Sequence, residues 1–303
     1  NEPNVLVLDH ADWQVKNGES GKDEFILTLD DNLRKLLGKE PRGGAMVQPW
    51  LRKQTAPEKV LDLELTYHIN VEELPETDCL LAVERPEFYT FELNGKPLEI
   101  KIERWWCDRA LQCLKIPSER LHQGDNRLIL RGKYHENLPG LESMFLLGDF
   151  GVRNDTLVQQ PDTLAVGDWT QQGFPYYAAD ITYSREIEVP ENGAELEFPE
   201  WRGVLIGVRI NGNKEQLLPW PPFRLKLSAG KIRLEITVYG SRRNAMGPFY
   251  CETPWPTWTG PDQFKDRTSK TRQLVPCGLL KPPVLELNGV KADWNGWKVI
   301  DRR

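Results

Sequence analysis

Any chemistry this chain performs has to be carried by its acidic side chains, its few histidines or its many aromatics. Hydrolysis of an acetal linkage needs two carboxylates held about 5 to 10 Å apart. Asp108, Asp149, Asp168, Asp180, Glu186 and Glu188 are of the right type, and none of them stands in a motif. Glu186 and Glu188 lie two apart on a strand-like run and share a face, the pattern of the solvated side of an antiparallel sheet. There is no G-x-S-x-G elbow, and Ser118 sits in the turn-like Pro117-Ser118-Glu119. His10, His68, His122 and His135 lack the i, i+4 spacing of a helical metal pair and read as structural or exposed. No glycine-rich phosphate loop follows a strand. No catalytic residue and no cofactor are therefore assigned. Calcium sites built from loop carboxylates and carbonyls leave no sequence signature, so a structural calcium stays open.

What remains is aromatic recognition. The chain has 11 Trp against 3 Met, and an indole offers a broad apolar face with a polar N–H at its rim, which suits both a sandwich core and a sugar-facing surface. Trp105 and Trp106 are adjacent, so on a strand they point to opposite faces and one of them enters the core. Trp169, Tyr176 and Tyr177 mark a turn in mid-chain, and Trp220, Trp255 and Trp258 lie in Pro-rich loops. Trp255 and Trp258 are the first candidates for an exposed platform. Trp169, Tyr176, Tyr177, Trp106 and Asp108 complete the set of candidate carbohydrate-binding residues.

The elements that must hold these residues are almost all strands. Val5–Leu8 opens the chain as an apolar strand, and Asp12–Val15 leads to the Asn17-Gly18 turn. One short helix is expected after Phe25-Ile26-Leu27, capped by Asp30 or Asp31, with Leu33, Leu36 and Leu37 on its apolar face and Gly38 stopping it. Val60 to Ile69 alternates apolar with polar as a half-buried strand does. Leu80–Glu84, Phe88–Leu93 before Asn94-Gly95, Leu111–Ile116 and Arg127–Leu130 continue at even spacing, which describes a sandwich or jelly roll. Leu274–Leu280 and Val284–Leu287 read as closing strands.

The plan then repeats. Leu65-Thr66-Tyr67 returns as Ile181-Thr182-Tyr183, and Phe91-Glu92-Leu93-Asn94-Gly95 returns as Val208-Arg209-Ile210-Asn211-Gly212, at offsets that agree to one residue. Gly124 with Arg127–Leu130 finds a counterpart in Gly230 with Arg233–Ile236. Met144 to Tyr183 is the seam between the copies. The expected fold is all-β: two tandem antiparallel β-sandwich or jelly-roll domains with one short helix, over 1–155 and 156–303. A long Trp- and Pro-rich loop at 247–261 cannot pair as a central strand.

At 303 residues the chain has room for two cores. A net charge of -6 and scattered basic residues argue against nucleic acid or an anionic membrane as partner. Five cysteines without a C-x-x-C pair read as reduced thiols, which favours bacterial cytoplasm over periplasm. Asn1 runs straight into a strand-like segment, as in a piece whose start lies elsewhere.

Together, Asn4-Val5-Leu6-Val7-Leu8-Asp9, Phe91–Gly95, Trp105-Trp106-Cys107-Asp108, Leu146–Val152, Gly173-Phe174-Pro175-Tyr176-Tyr177 and Asn244–Pro248 resemble the C-terminal β-sandwich region of large bacterial α-L-rhamnosidase-like glycoside hydrolases. Those sandwiches are similar to the sugar-binding domain of family-two glycosidases. The resemblance implies galactose-binding-like jelly rolls, a glycan or oligosaccharide as ligand, and an upstream catalytic barrel as partner. Such a barrel needs about 250 residues of alternating strand and helix, absent from this sequence. The expectation is thus a pair of non-catalytic modules of a glycoside hydrolase. The alternatives are a free-standing carbohydrate-binding protein and a small β-sandwich glycan hydrolase or lyase.

Overall fold

The computed structural model describes residues 2–42, 56–252, 264, 267–287, 290–293 and 298–302. Trp255 and Trp258 lie outside the described residues. The chain forms two compact units: Val5–Gln159 with Pro248–Gln273, and Asn1–Asn4 with Gln160–Gly247 and Leu274–Arg303. The segment from Pro248 thus belongs with the first half of the chain, not with the second half in which it was expected. Among the described residues no helix is long and apolar enough to cross a membrane.

In the first unit the strands are β1 (Asn4–Leu8), β2 (His10–Val15), β3 (Ser20–Phe25), β4 (Leu61–Val71), β5 (Cys79–Glu84), β6 (Tyr89–Leu93), β7 (Lys96–Leu98), β8 (Ile102–Trp106), β9 (Asp108–Ile116), β10 (Gly124–Tyr134), β11 (Met144–Gly148), β12 (Gly151–Arg153) and β13 (Thr156–Val158). One sheet runs β1-β11-β5-β9-β8; the other runs β12-β13-β4-β10-β6-β7, with β2 on β4 and β3 on β2. Strict alternation along β4 sends Leu63, Leu65, Tyr67 and Ile69 into the core and leaves Asp62, His68 and Asn70 outside. Each such buried apolar side chain contributes about 1.5–3 kcal/mol. The polar side of β4 is consequently free to carry a site.

Helix α1 (Ile26–Leu36) starts earlier than expected. Phe25 is its N-cap and makes no side-chain capping bond. Asp30, expected to cap, lies inside the helix and is buried, where it accepts from the Tyr134 hydroxyl at 2.7 Å, the Leu141 N–H at 2.8 Å and Arg42 Nε at 2.8 Å. A carboxylate with three donors no longer needs a helix end. Gly38, at φ 72°, ends the turn as expected, with its N–H on the Lys35 carbonyl.

The second unit contains β14 (Ile181–Val189), β15 (Ala194–Glu197), β16 (Trp201–Arg202), β17 (Leu205–Ile210), β18 (Gln216–Leu218), β19 (Arg224–Leu227), β20 (Gly230–Tyr239), β21 (Gly278–Leu279), β22 (Val284–Leu287), β23 (Val290–Asp293) and β24 (Lys298–Arg302), with a single helical turn, α2 (Arg243–Met246). That turn is a second helix where one was expected. Of the run Leu274–Leu280 only β21 is a strand. Sheets β18-β17-β20-β14-β24 and β19-β15-β22-β23 enclose one core, in which Leu196, Leu227 and Leu285 meet Ile181, Tyr183, Ile206 and Ile236.

The repeat seen in the sequence is a repeat of topology. In the first unit β10 lies between β4 and β6; in the second, β20 lies between β14 and β17. After β6, Asn94 and Gly95 have φ of 51° and 77°; after β17, Asn211 and Gly212 have 51° and 73°. These positive angles are what an Asn-Gly hairpin demands. In both copies the asparagine N–H donates to the carbonyl of an arginine (Arg127 at 3.0 Å, Arg233 at 2.9 Å), and that arginine's N–H donates back to its Oδ1 at 2.9 and 2.7 Å.

Candidate ligand-binding cleft

On the first unit, the polar face of β4 and the β1–β2 corner line a cleft of about 840 Å³, closed on one side by residues Tyr250 and Arg267–Arg272. Its base is Asp9. Strand β1 is buried throughout and carries this residue inside with it, so that Asp9 is only 2% exposed. A buried carboxylate needs donors. Asp9 Oδ1 takes Arg272 Nη2 at 2.6 Å and His10 Nδ1 at 2.9 Å, and Oδ2 takes the Tyr250 hydroxyl at 3.3 Å. Burial alone would raise the Asp9 pKa; the His10 hydrogen bond and the Arg272 charge overcome it and hold the carboxyl below its ordinary value. An ionised carboxylate only accepts, so His10 carries its proton on Nδ1 and offers Nε2 as acceptor to Arg267 Nη1 at 3.4 Å. The other arm of Arg272 reaches Asp155 at 2.6 Å, in the turn between β12 and β13.

Above Asp9 stands a box of rings. His10, Phe25 and Tyr250 have centroids 5.3 to 5.7 Å apart, and the Arg267 guanidinium lies 4.7 Å from the Phe25 ring and 4.3 Å from the Tyr250 ring. The rings are held by β2, β3 and the 248–273 segment. Among the described residues neither Arg267 nor Lys270 has a carboxylate partner.

Asp12, Asp23 and His68 line the same cleft. The bulge in β2 between Ala11 and Trp13 and the positive φ of Asp23 (48°) bring the Asp23 N–H onto Asp12 Oδ1 at 2.9 Å. His68, on β4, has Nε2 3.3 Å from Asp12 and Nδ1 2.9 Å from Asp125. Burial would lower the His68 value; the two carboxylates outweigh it and raise it. Asp12 is correspondingly lowered, against its own desolvation, by the Asp23 N–H and by His68. Asn70 continues the same face of β4, as the period of two requires. Charged groups of both signs and carboxamides thus share one concave surface.

No family model matches the chain, and no curated protein matches it. Among solved structures it is similar to a β-D-mannosidase from Dictyoglomus thermophilum, at 17% identity and a TM-score of 0.32, over 78% of this chain and 31% of that one. A rhamnosidase from Novosphingobium sp. PP1Y is 19% identical with a TM-score of 0.29, over 76% of this chain and 22% of that one. The pilus backbone of Streptococcus pneumoniae is 13% identical with a TM-score of 0.26, over 78% and 51%. The chain therefore spans less than a third of the length of the two glycosidases.

The residues singled out in the sequence lie elsewhere. Trp169, Tyr176 and Tyr177 are 0%, 3% and 2% exposed and belong to the interior of the protein; in the second core Trp169 and Phe174 meet Tyr177 edge-on at 6.5 and 5.5 Å. Their ring faces are turned to protein. Trp106 is buried against Phe145 while Trp105 is half exposed, the split that adjacency on a strand dictates. Asp108 is exposed and accepts from the Ala110 N–H at 2.8 Å. Trp220, at 78% exposure, is the most open of the described tryptophans.

The acidic candidates also have structural partners. Asp168 caps a short turn through Thr170 and accepts from the Cys277 N–H. Asp149 takes the Thr77 hydroxyl, and Asp180 takes the Gly240 N–H. Glu186 and Glu188 are exposed, as expected of a solvated face. Among the described residues no three His, Cys, Asp or Glu side chains converge as a metal cage. The sequence offered no role for Asp9 and read His10 and His68 as structural or exposed; their partners lie up to 263 positions away. The only local signal was a carboxylate directly after four apolar residues, a position that burial makes costly unless it is used.

Proposed function

We propose that the chain supplies two accessory β-sandwich units of a glycan-processing protein, of galactose-binding-like type, which hold an oligosaccharide and brace a catalytic domain. The observation that carries this reading is the cleft on β4. It presents carboxylates, carboxamides and basic groups on one concave surface, the donors and acceptors that a polyhydroxylated ligand requires. The commitment of its carboxylates favours binding over turnover: Asp9 and Asp155 are tied to Arg272, and Asp12 to His68. The sequence resemblance to rhamnosidase-like sandwiches supports the glycan as ligand.

The test pairs two measurements on the whole chain. Aryl rhamnosides and pectic oligosaccharides are offered as substrates, and the same oligosaccharides are titrated calorimetrically. The expected result is heat of binding without turnover, weakened by Asn70→Ala. Turnover abolished by Asp149→Ala or Asp168→Ala would replace this reading with that of a small β-sandwich enzyme.

A further inference from the structure

The cleft combines cations from residues 267–272 with acceptors from β2, β3 and β4, and that combination specifies a ligand class. Arg267 has five N–H donors, of which Nη1 is directed at His10 Nε2; its charge otherwise rests on two aromatic faces. Lys270 lines the same side and is exposed. Arg272, by contrast, is consumed by Asp9 and Asp155. Among the described residues, this side therefore holds two cations without a carboxylate partner. The same cleft holds acceptors on β2, β3 and β4: the Asp12 and Asp23 carboxylates and the Asn70 amide. A neutral sugar can hydrogen-bond to both sets of groups but leaves the two cations unneutralised, and a simple anion leaves the acceptors unused. A volume of about 840 Å³ takes a disaccharide or somewhat more.

Building on the reading of this cleft as a glycan site, we propose that it takes a saccharide bearing a carboxylate, a hexuronate unit. Arg267 and Lys270 receive the carboxylate, and Asp12, Asp23 and Asn70 receive the ring hydroxyls. A planar guanidinium matches a carboxylate with two parallel hydrogen bonds, and contact with the Phe25 and Tyr250 rings holds the Arg267 charge in the cleft before the ligand arrives.

The test is calorimetric titration of the full chain with trigalacturonate, galactotriose and triglutamate at low and physiological salt. Trigalacturonate is expected to bind at least tenfold tighter than either comparison ligand, with a preference over galactotriose that shrinks as salt is raised. Arg267→Gln should remove that preference and Asp12→Asn should weaken both sugars. Lys270→Gln, at an exposed position, keeps the assignment testable if Arg267→Gln misfolds. Galactotriose binding as tightly as trigalacturonate would overturn the uronate assignment and leave the glycan site standing. Triglutamate binding as tightly would reduce the cleft to an anion site and overturn it too. Binding of none of the three would sink both the assignment and the glycan reading of the cleft. A preference unchanged in both Arg267→Gln and Lys270→Gln would also overturn the assignment.

Discussion

Arg272→Leu is the most informative single change to the first unit. It removes the cation 2.6 Å from Asp9 Oδ1 and leaves a carboxylate that is 2% exposed facing only His10 and Tyr250. Breaking a buried pair from one side costs about 3–5 kcal/mol, because the remaining charge is uncompensated. The Arg272 side chain is itself 12% exposed, which places the loss at the lower end, about 3 kcal/mol, or roughly a hundredfold in an opening equilibrium. Adding Asp9→Asn removes the stranded charge and should restore much of the loss. The pH dependence has a definite sign. In the native protein Asp9 is held below its ordinary value, so its contribution is present above the unfolded value near 3.9 and is lost as pH falls through the folded one. Without Arg272 burial raises the Asp9 value, so the deficit of Arg272→Leu should be largest near neutrality and shrink as pH falls and the stranded carboxyl protonates. Hydrogen exchange of peptides covering residues 5–26 reads this directly. Exchange less than about threefold faster at pH 7, or a double variant no better than the single, would refute the argument.

Three further outcomes follow from the same geometry. His68 titrates above its ordinary value, so its contribution is full below the unfolded value near 6.5 and fades as pH rises through the folded one; with 38% exposure it amounts to less than about 1 kcal/mol, and an NMR titration compared with Asp125→Asn should show the value fall. Asn126→Ala should destabilise the first unit by about 3 kcal/mol in urea denaturation, since this fully buried amide serves Asn94, the His122 N–H and the carbonyls of Ile69, His122 and Gly124. Trp169→Ala, in the second core, should cost about 3–5 kcal/mol and leave sugar binding by the first unit unchanged.

The strands were legible because their signals are local. Alternation along Leu61–Val71 and the Asn-Gly pairs at 94–95 and 211–212 need only a few neighbours to be read, and the reciprocal asparagine–arginine hydrogen bonds explain why both copies keep them. The helix start was misjudged because Asp30 looks like a cap until Tyr134 and Arg42, both distant in sequence, are brought to it. The site was missed for the same reason. Aromatic residues drew attention as possible platforms, but Trp106, Trp169, Tyr176 and Tyr177 are consumed in filling the interior, and the cleft is instead assembled from single polar residues just after β1, on β2, β3 and β4, and in a segment after residue 247. No spacing rule connects them. A carboxylate directly after the four apolar residues Val5–Leu8 is the one clue that could have been followed.

The discontinuous make-up of the first unit bears on how the protein is born. Asp9 emerges from the ribosome 263 residues ahead of the arginine that neutralises it. At 5–20 residues per second that interval is roughly ten to fifty seconds. Throughout it the nascent β1–β2 corner has to keep an ionised group hydrated, and most of the second unit is synthesised before the corner can close. Final sealing of the earliest strands therefore waits until the segment after residue 247 has emerged, and a translation product halted before residue 248 should expose this corner to proteases and chaperones.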